Sequence, residues 1–152
     1  MNVAYRLCSA RYPGHSGRGA ALQGGRWNRS GVEVIYSSST VPLAILEILV
    51  HYSVVPQDFA ITEIGIPDHL SIEHLKHKDL PMGWNSETGC TDAQQLGTQW
   101  IKETRTVALS VPSSIVPTAQ NIVLNPAHPD FKQIVFVSPR SFAFDPRLKS
   151  SV

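Results

Sequence analysis

The stretch Thr40-Val41-Pro42-Leu43-Ala44-Ile45-Leu46-Glu47-Ile48-Leu49-Val50-His51-Tyr52 is a nearly unbroken apolar run with a single carboxylate in its middle. Its Leu, Ala and Ile content and its Thr-x-Pro opening predict a helix. On such a helix Leu43, Glu47 and His51 share one face, because residues four apart lie one above the other. Burying a carboxylate without a partner is costly, so we expect the rest of the chain to supply partners for Glu47.

Length and charge narrow the class of protein around this helix. The chain has 152 residues and a net charge of +1, with acidic and basic residues interspersed. This length suits one domain over residues 1–152. The sequence lacks the stripe of basic residues that DNA-binding proteins carry, which argues against direct DNA binding. Cys8 and Cys90 do not form a disulfide framework, which favours a reducing compartment. No apolar run approaches the ~18 residues of a membrane span, so we expect a soluble, cytoplasmic protein.

Several short strands and a few helices are predicted, not in strict alternation. The predicted strands are 3–8, 32–37, 59–66, 106–111, 121–124 and 133–137, and the predicted helices are 40–52, 71–78 and 91–102. Residues 9–25 contain five glycines and a proline, and we predict neither helix nor strand there. This mixture predicts an α+β fold.

Arg26 and Tyr36 are candidate binding residues: Arg26 precedes the second predicted strand, and Tyr36 lies near the end of that strand. Arg26 follows two glycines and precedes Trp27, a setting that lets the backbone approach a ligand while the guanidinium binds two oxygens, as in phosphate. The alternative is an arginine stacked on Trp27 and paired with a surface carboxylate. Tyr36 has an alternative role as a core residue with a hydrogen-bonded hydroxyl.

Glu47, His51 and His128 together raise the hypothesis of a metal-dependent hydrolase. No His-x-x-x-His or Cys-x-x-Cys spacing supports it, and each histidine is also explained by a hydrogen bond to a loop. Glu47 has an alternative role in a buried pair with His51 or an arginine. Ser113 and Ser114 follow Pro112 without a glycine elbow, so a hydroxyl that binds a ligand or caps a turn is the expected role.

The order of these motifs resembles that of the RES domain family, named after an arginine, a glutamate and a serine. The resemblance covers essentially the whole chain. The motifs that carry it are Gly24-Gly25-Arg26-Trp27-Asn28, Val34-Ile35-Tyr36, Leu46-Glu47-Ile48-Leu49-Val50-His51, Val111-Pro112-Ser113, Leu124-Asn125-Pro126-Ala127-His128-Pro129-Asp130 and Phe144-Asp145-Pro146-Arg147-Leu148. Residues 68–104 match none of these motifs.

The resemblance implies an ADP-ribosyltransferase-like fold, with a short-stranded mixed sheet and a few helices. It also implies the toxin of a bacterial type II toxin–antitoxin pair, with NAD as substrate and no metal. Such a toxin cleaves the nicotinamide–ribose bond as a glycohydrolase or phosphorylase, or transfers ADP-ribose to a protein. The implied partners are an Xre-type helix-turn-helix antitoxin and a second copy of the chain, a homodimer within a larger complex.

The resemblance also implies a role for each site residue. Glu47 would stabilise the ribosyl cation, Arg26 would hold the pyrophosphate, and Tyr36 would contact nicotinamide. Ser113 would orient the ligand by hydrogen bonding, with Ser114 as its neighbouring alternative. Further candidates are Asn125 for substrate binding, and Trp27, His51 and His128. A non-catalytic binding module, whose polar residues only stabilise a scaffold, is the alternative from a different class.

Overall fold

A computed structural model describes residues 1–149; the last three residues of the domain expected over 1–152 lie outside it. It contains eight strands and three α-helices. The strands are β1 (Asn2–Ser9), β2 (Ile35–Ser38), β3 (Phe59–Ile66), β4 (Ile72–His74), β5 (Ala108–Pro112), β6 (Gln120–Leu124), β7 (Val135–Phe136) and β8 (Arg140–Phe142). The helices are α1 (Arg18–Gln23), α2 (Val41–Leu49) and α3 (Thr91–Lys102). No helix within residues 1–149 has the length and apolar character needed to cross a membrane.

All eight strands belong to one mixed sheet. Its order is β4-β5-β6-β2-β1-β3-β7, and β8 pairs with β3 beside β7. The β4–β5 pair is parallel and the remaining pairs are antiparallel. The predicted α+β class, with short strands in a mixed sheet and a few helices, is therefore confirmed.

Helices α2 and α3 pack on the same face of this sheet, here called the front face. Side chains alternate between faces along a strand and paired residues share a face, so the pairs Tyr5–Ser38 and Tyr36–Val123 mark the front. α2 covers one part of it through an apolar cluster that includes Leu7. α3 covers another part through a cluster that includes Val123. Strand β2 lies at the centre of the sheet, between the two helices.

The apolar run 40–52 forms a helix, as predicted, but a shorter one. The Thr40 side chain accepts a hydrogen bond from the backbone N–H of Leu43 and so caps the first turn. The helix ends at Leu49, and the backbone N–H of His51 donates to Ile48 in a turn beyond it. His51 therefore lies beyond the helix on which it was expected to share a face with Glu47, and its side chain is exposed.

Three other predicted elements differ from the structure. Residues 71–78 were expected to be a polar helix, but Ile72–His74 pair in parallel with β5, because a sheet edge offers these backbone groups ladder partners. Residues 9–25 contain α1, which fits between Gly17 and Gly24 and has only Gly19 inside it. The strand expected over 133–137 shrinks to Val135–Phe136, because a 3₁₀ turn occupies Pro129–Gln133.

Candidate active site

Glu47 is the centre of a hydrogen-bonded group on the front face. Its side chain is half-buried, not fully buried as the sequence suggested. Oε1 accepts hydrogen bonds from the Ser113 hydroxyl at 2.6 Å and from the Asn121 amide at 2.7 Å. Among residues 1–149 both bonds reach Oε1, and none is made to Oε2. The carboxylate is therefore fixed at one oxygen and open to a ligand at the other.

Ser113 and not Ser114 is the serine that reaches Glu47. It is fully buried, and its hydroxyl accepts hydrogen bonds from the backbone N–H groups of Ile115 and Val116 at 3.1 and 3.0 Å. A hydroxyl has one hydrogen to donate and two lone pairs, and all three are in use here. Ser113 thus holds the carboxylate in place and has no capacity left for a hydrogen bond to a ligand.

Arg26 lies in a tight turn that α3 and a distant loop support. Its Nη1 donates to the carbonyl oxygen of Trp84 at 2.6 Å. Within residues 1–149 no carboxylate pairs with Arg26, so the alternative of a surface ion pair is not what the structure shows. A guanidinium has five N–H donors, and most of those on Arg26 remain for an anionic ligand.

Tyr36 fixes the conformation of that turn. Its hydroxyl donates to Oδ1 of Asn28 at 2.6 Å and accepts from the backbone N–H of Trp27 at 3.0 Å. Burial raises the pKa of this hydroxyl well above its ordinary value of about 10, although the bond from Trp27 and the nearby Arg26 charge act in the opposite direction. Tyr36 is therefore a neutral hydrogen-bonding group that positions the turn, and its half-buried ring is what remains to contact a ligand.

Helix α3 supports the Arg26 turn from the other side. Gln94 donates to the Gly25 carbonyl at 2.9 Å, and the Thr98 hydroxyl accepts from the backbone N–H of Arg29 at 3.1 Å. The helix approaches so closely that a Cβ added to Gly97 would lie 1.9 Å from the Trp27 carbonyl oxygen. Residues 68–104, which match no motif, thus contribute the element that holds Arg26 in place.

Strand β2 connects the two groups. Tyr36 reaches the Arg26 turn, and Ser38, two residues later on the same face, donates to Oδ1 of Asn121 at 2.8 Å. Residues two apart in a strand are separated by about 6.6 Å. The candidate carboxylate and the candidate phosphate-binding turn are therefore anchored on adjacent front-face positions of one central strand.

The other candidates lie elsewhere. Asn125 follows β6 at the end opposite Asn121, where it is fully buried and binds the Ile101 carbonyl and the Ala127 N–H. His128 accepts from the backbone N–H of Asp130 through Nδ1. Trp27 is buried and stacks on Trp84 with ring centroids 6.3 Å apart. The structure does not bring any of these to Glu47.

The histidines proposed for a metal site do not meet Glu47 within residues 1–149. His51 is exposed beyond the end of α2, and His128 caps a turn on the far side of β6. In the described part of the chain no three His, Cys, Asp or Glu side chains converge in a way that could hold a metal ion.

Sequence reasoning missed Asn121, Ser38 and Trp84. Asn121 and Ser38 are polar residues at the ends of strands that are otherwise largely apolar, and front-face alternation could have singled them out. Trp84 contributes a backbone carbonyl, which any residue type possesses. No sequence pattern identifies that contact.

The fold and the site together define a mixed α+β protein in which a fixed carboxylate and a guanidinium-bearing turn share one sheet face. The chain belongs to the RES domain family, whose model matches residues 3–145.

Two curated relatives cover most of the chain. A protein of Yersinia enterocolitica named Toxin Res is 41% identical over 97% of this chain and 99% of its own length. A protein of Sphingobium sp. named Prs ADP-ribosylating toxin is 41% identical over 88% of this chain and 85% of its own length.

A solved structure shares the fold. One chain of the Mycobacterium tuberculosis MbcT-MbcA toxin-antitoxin complex superposes with a TM-score of 0.75, at 16% identity, over 97% of this chain and 86% of that chain. This likeness shows that the two chains share a fold.

Proposed function

We propose that this chain is the toxin of a bacterial toxin–antitoxin pair and that it cleaves the nicotinamide–ribose bond of NAD. The observation that carries the proposal is Glu47, whose Oε1 accepts two hydrogen bonds and whose Oε2 accepts none from residues 1–149, on the same sheet face as the turn that bears Arg26. The names of the Yersinia and Sphingobium relatives support a toxin. The activity would place the protein in the cytoplasm, where NAD is available.

The chemistry needs a carboxylate in this situation. Breaking the N-glycosidic bond leaves positive charge on the ribose, and a prepositioned anion stabilises that charge more in the transition state than in the ground state. Oε2 of Glu47 would also accept a hydrogen bond from a ribose hydroxyl. Arg26 would hold the pyrophosphate with the N–H groups that Trp84 leaves free.

The acceptor of the ADP-ribosyl group is water or phosphate in this proposal. The second candidate is a mono-ADP-ribosyltransferase that modifies a protein target, and the name of the Sphingobium relative favours it. NAD labelled in its adenylate phosphate separates the two. Label recovered in a small molecule indicates hydrolysis or phosphorolysis, whereas label retained on a protein indicates transfer.

The proposed partner is an antitoxin, because the structurally similar Mycobacterium tuberculosis chain belongs to a toxin-antitoxin complex. We retain the expectations of an Xre-type helix-turn-helix antitoxin and of a homodimer within a larger complex. Co-expression with the neighbouring reading frame, followed by light scattering of the purified complex, tests both.

Release of nicotinamide from NAD by the purified protein tests the central proposal. Glu47→Gln keeps one oxygen to accept from Ser113 and Asn121 but removes the charge, so we expect a rate loss of about 100-fold or more. Glu73→Gln is the matched control, since Glu73 is also half-buried but lies on edge strand β4. The proposal is wrong if the wild-type chain releases no nicotinamide with water, phosphate or protein acceptors, or if Glu47→Gln reacts at the wild-type rate.

A further inference from the structure

Asn121 and Ser38 form a chain of hydrogen bonds that ends on Glu47. The Ser38 hydroxyl donates to Oδ1 of Asn121 at 2.8 Å, and Nδ2 of Asn121 donates to Oε1 of Glu47 at 2.7 Å. Ser38 is buried, at 3% exposure, and lies on the central strand of the sheet. The chain of bonds thus begins at a rigid position of the fold and ends at the candidate catalytic oxygen.

The direction of each bond is fixed by chemistry. The amide oxygen of Asn121 can only accept, and its nitrogen can only donate. The Glu47 carboxylate can only accept, so it requires the Asn121 amide to present Nδ2 to Oε1 and Oδ1 to Ser38. The Ser38 hydroxyl can donate or accept, and here it donates to Oδ1 and anchors the far side of the amide. Without that hydroxyl Oδ1 loses its anchor on β2, and the amide is free to move together with the carboxylate.

We infer that Ser38 and Asn121 are positioning residues for Glu47: Ser38 anchors the Asn121 amide at Oδ1, and the amide holds Oε1 so that Oε2 faces the ribose of the substrate. This inference rests on the proposed function for its kinetic consequence. Ser113 binds the same oxygen, but its hydroxyl also accepts two backbone N–H groups, so its removal disturbs a loop as well. Substitutions of Asn121 and Ser38 therefore test the positioning of the carboxylate without disturbing that loop.

Asn121→Ala should lower kcat for nicotinamide release by about 10- to 100-fold, because the carboxylate loses its alignment with the reacting ribose. KM for NAD should stay within about twofold of wild type, since neither residue lies in the Arg26 turn. Ser38→Ala should lower kcat on the order of 5- to 10-fold. In the double variant the Ser38 substitution should have no further effect, because the amide that it anchors is gone.

Ser37→Ala is the matched control. Ser37 is the neighbouring buried serine on β2, and its hydroxyl donates to the Ile122 carbonyl at 2.8 Å on the opposite face. The Ser37→Ala variant loses a hydrogen bond of the same length as the Ser38 bond but leaves the contacts of Glu47 intact, so kcat should not change. Equal losses in Ser37→Ala and Ser38→Ala, or fully additive losses in the double variant, would overturn the inference while leaving the proposed function intact.

A spectroscopic measurement separates the two proposals if the wild-type chain proves inactive on NAD. The side-chain amide signal of Asn121 in a ¹⁵N-resolved NMR spectrum should move in Glu47→Gln and in Ser38→Ala, and stay in place in Ser37→Ala. Thermal unfolding of each variant identifies any loss of fold. If the Asn121 signal shifts in neither Glu47→Gln nor Ser38→Ala while both variants remain folded, the hydrogen-bond chain is disproved regardless of activity.

Discussion

Glu47 and Tyr36 are held by the same means, short hydrogen bonds to neutral partners. Glu47 accepts at 2.6 and 2.7 Å from Ser113 and Asn121, and Tyr36 bridges Asn28 and the Trp27 backbone. Hydrogen bonds from neutral donors leave the carboxylate its full negative charge for a ligand, whereas an ion pair with an arginine would compensate it. At the residue scale the site therefore keeps both Glu47 and Arg26 without an ionic partner among residues 1–149.

Tyr36→Phe should destabilise the protein by about 1–3 kcal/mol at pH 7, because Trp27 N–H and Asn28 Oδ1 lose a buried partner. It should also change the pH dependence of stability. The pKa of Tyr36 is raised in the folded state, so above pH ~10 the unfolded chain releases a proton that the folded chain retains. This linkage makes the wild type lose stability as pH rises above 10, by up to ~1.4 kcal/mol per pH unit.

Urea unfolding at pH 9 and pH 11 measures this effect. The difference in unfolding free energy between wild type and Tyr36→Phe should shrink at the higher pH, since only the wild type has the linked proton. Ionisation of the other tyrosines is common to both proteins and cancels. A difference that stays constant between the two pH values would show that the Tyr36 hydroxyl is not shielded from ionisation.

Helix α3 acts on the site as an element, through its close approach to the Arg26 turn. Gly97→Ala should force the helix and the Trp27 carbonyl apart, since the new Cβ would lie 1.9 Å from that oxygen. We expect a loss of about 2–4 kcal/mol in unfolding free energy and a higher KM for NAD. Gly19→Ala in α1 is the control, because a Cβ there meets nothing within 4 Å. It should be neutral or slightly stabilising; equal losses in both variants would refute the role of the close contact.

Sequence patterns within a short window predicted the helices and strands that neighbouring residues are sufficient to specify. The apolar run with its Thr-x-Pro opening predicted α2, and the helix predicted over 91–102 is α3 (Thr91–Lys102). Strand β4 escaped prediction because its three residues are extended only through pairing with β5, 36 positions later at Ile72↔Ala108. Elements fixed by distant partners are not readable from a short window of sequence.

The site residues divide in the same way, into those with a local sequence signal and those whose role depends on distant contacts. Glu47 stood out because a carboxylate interrupts an apolar run, and Arg26 because two glycines precede it. Asn121 and Ser38 meet across 83 positions, and Arg26 meets a backbone carbonyl 58 positions away. Their roles depend on how the sheet brings strands together. Asn125 lies in one of the family motifs. In the structure, however, its side-chain amide donates to the Ile101 carbonyl and accepts from the Ala127 N–H, away from Glu47.

At the scale of the whole molecule, the central strand β2 connects the two groups of site residues. β2 lies in the middle of the sheet, α2 and α3 pack on the same face to either side, and the polar residues of the site lie between them. The carboxylate comes from one helix, the arginine turn rests on the other, and β2 contacts both groups through Ser38 and Tyr36. The arrangement of Glu47 and the Arg26 turn therefore depends on the pairing of strands across the whole sheet.

Expression of the chain in bacteria without a partner should therefore lower cellular NAD and arrest growth in proportion to the folded, active protein. Glu47→Gln retains the Oε1 acceptor and the packing of α2, so it should accumulate to wild-type levels while NAD and growth stay normal. Glu73→Gln should be as harmful as wild type. Cellular NAD and soluble protein, measured together after induction, distinguish lost catalysis from lost fold. Growth arrest by Glu47→Gln at normal NAD would instead indicate a binding module that acts without turnover, because its surface is unchanged apart from one charge.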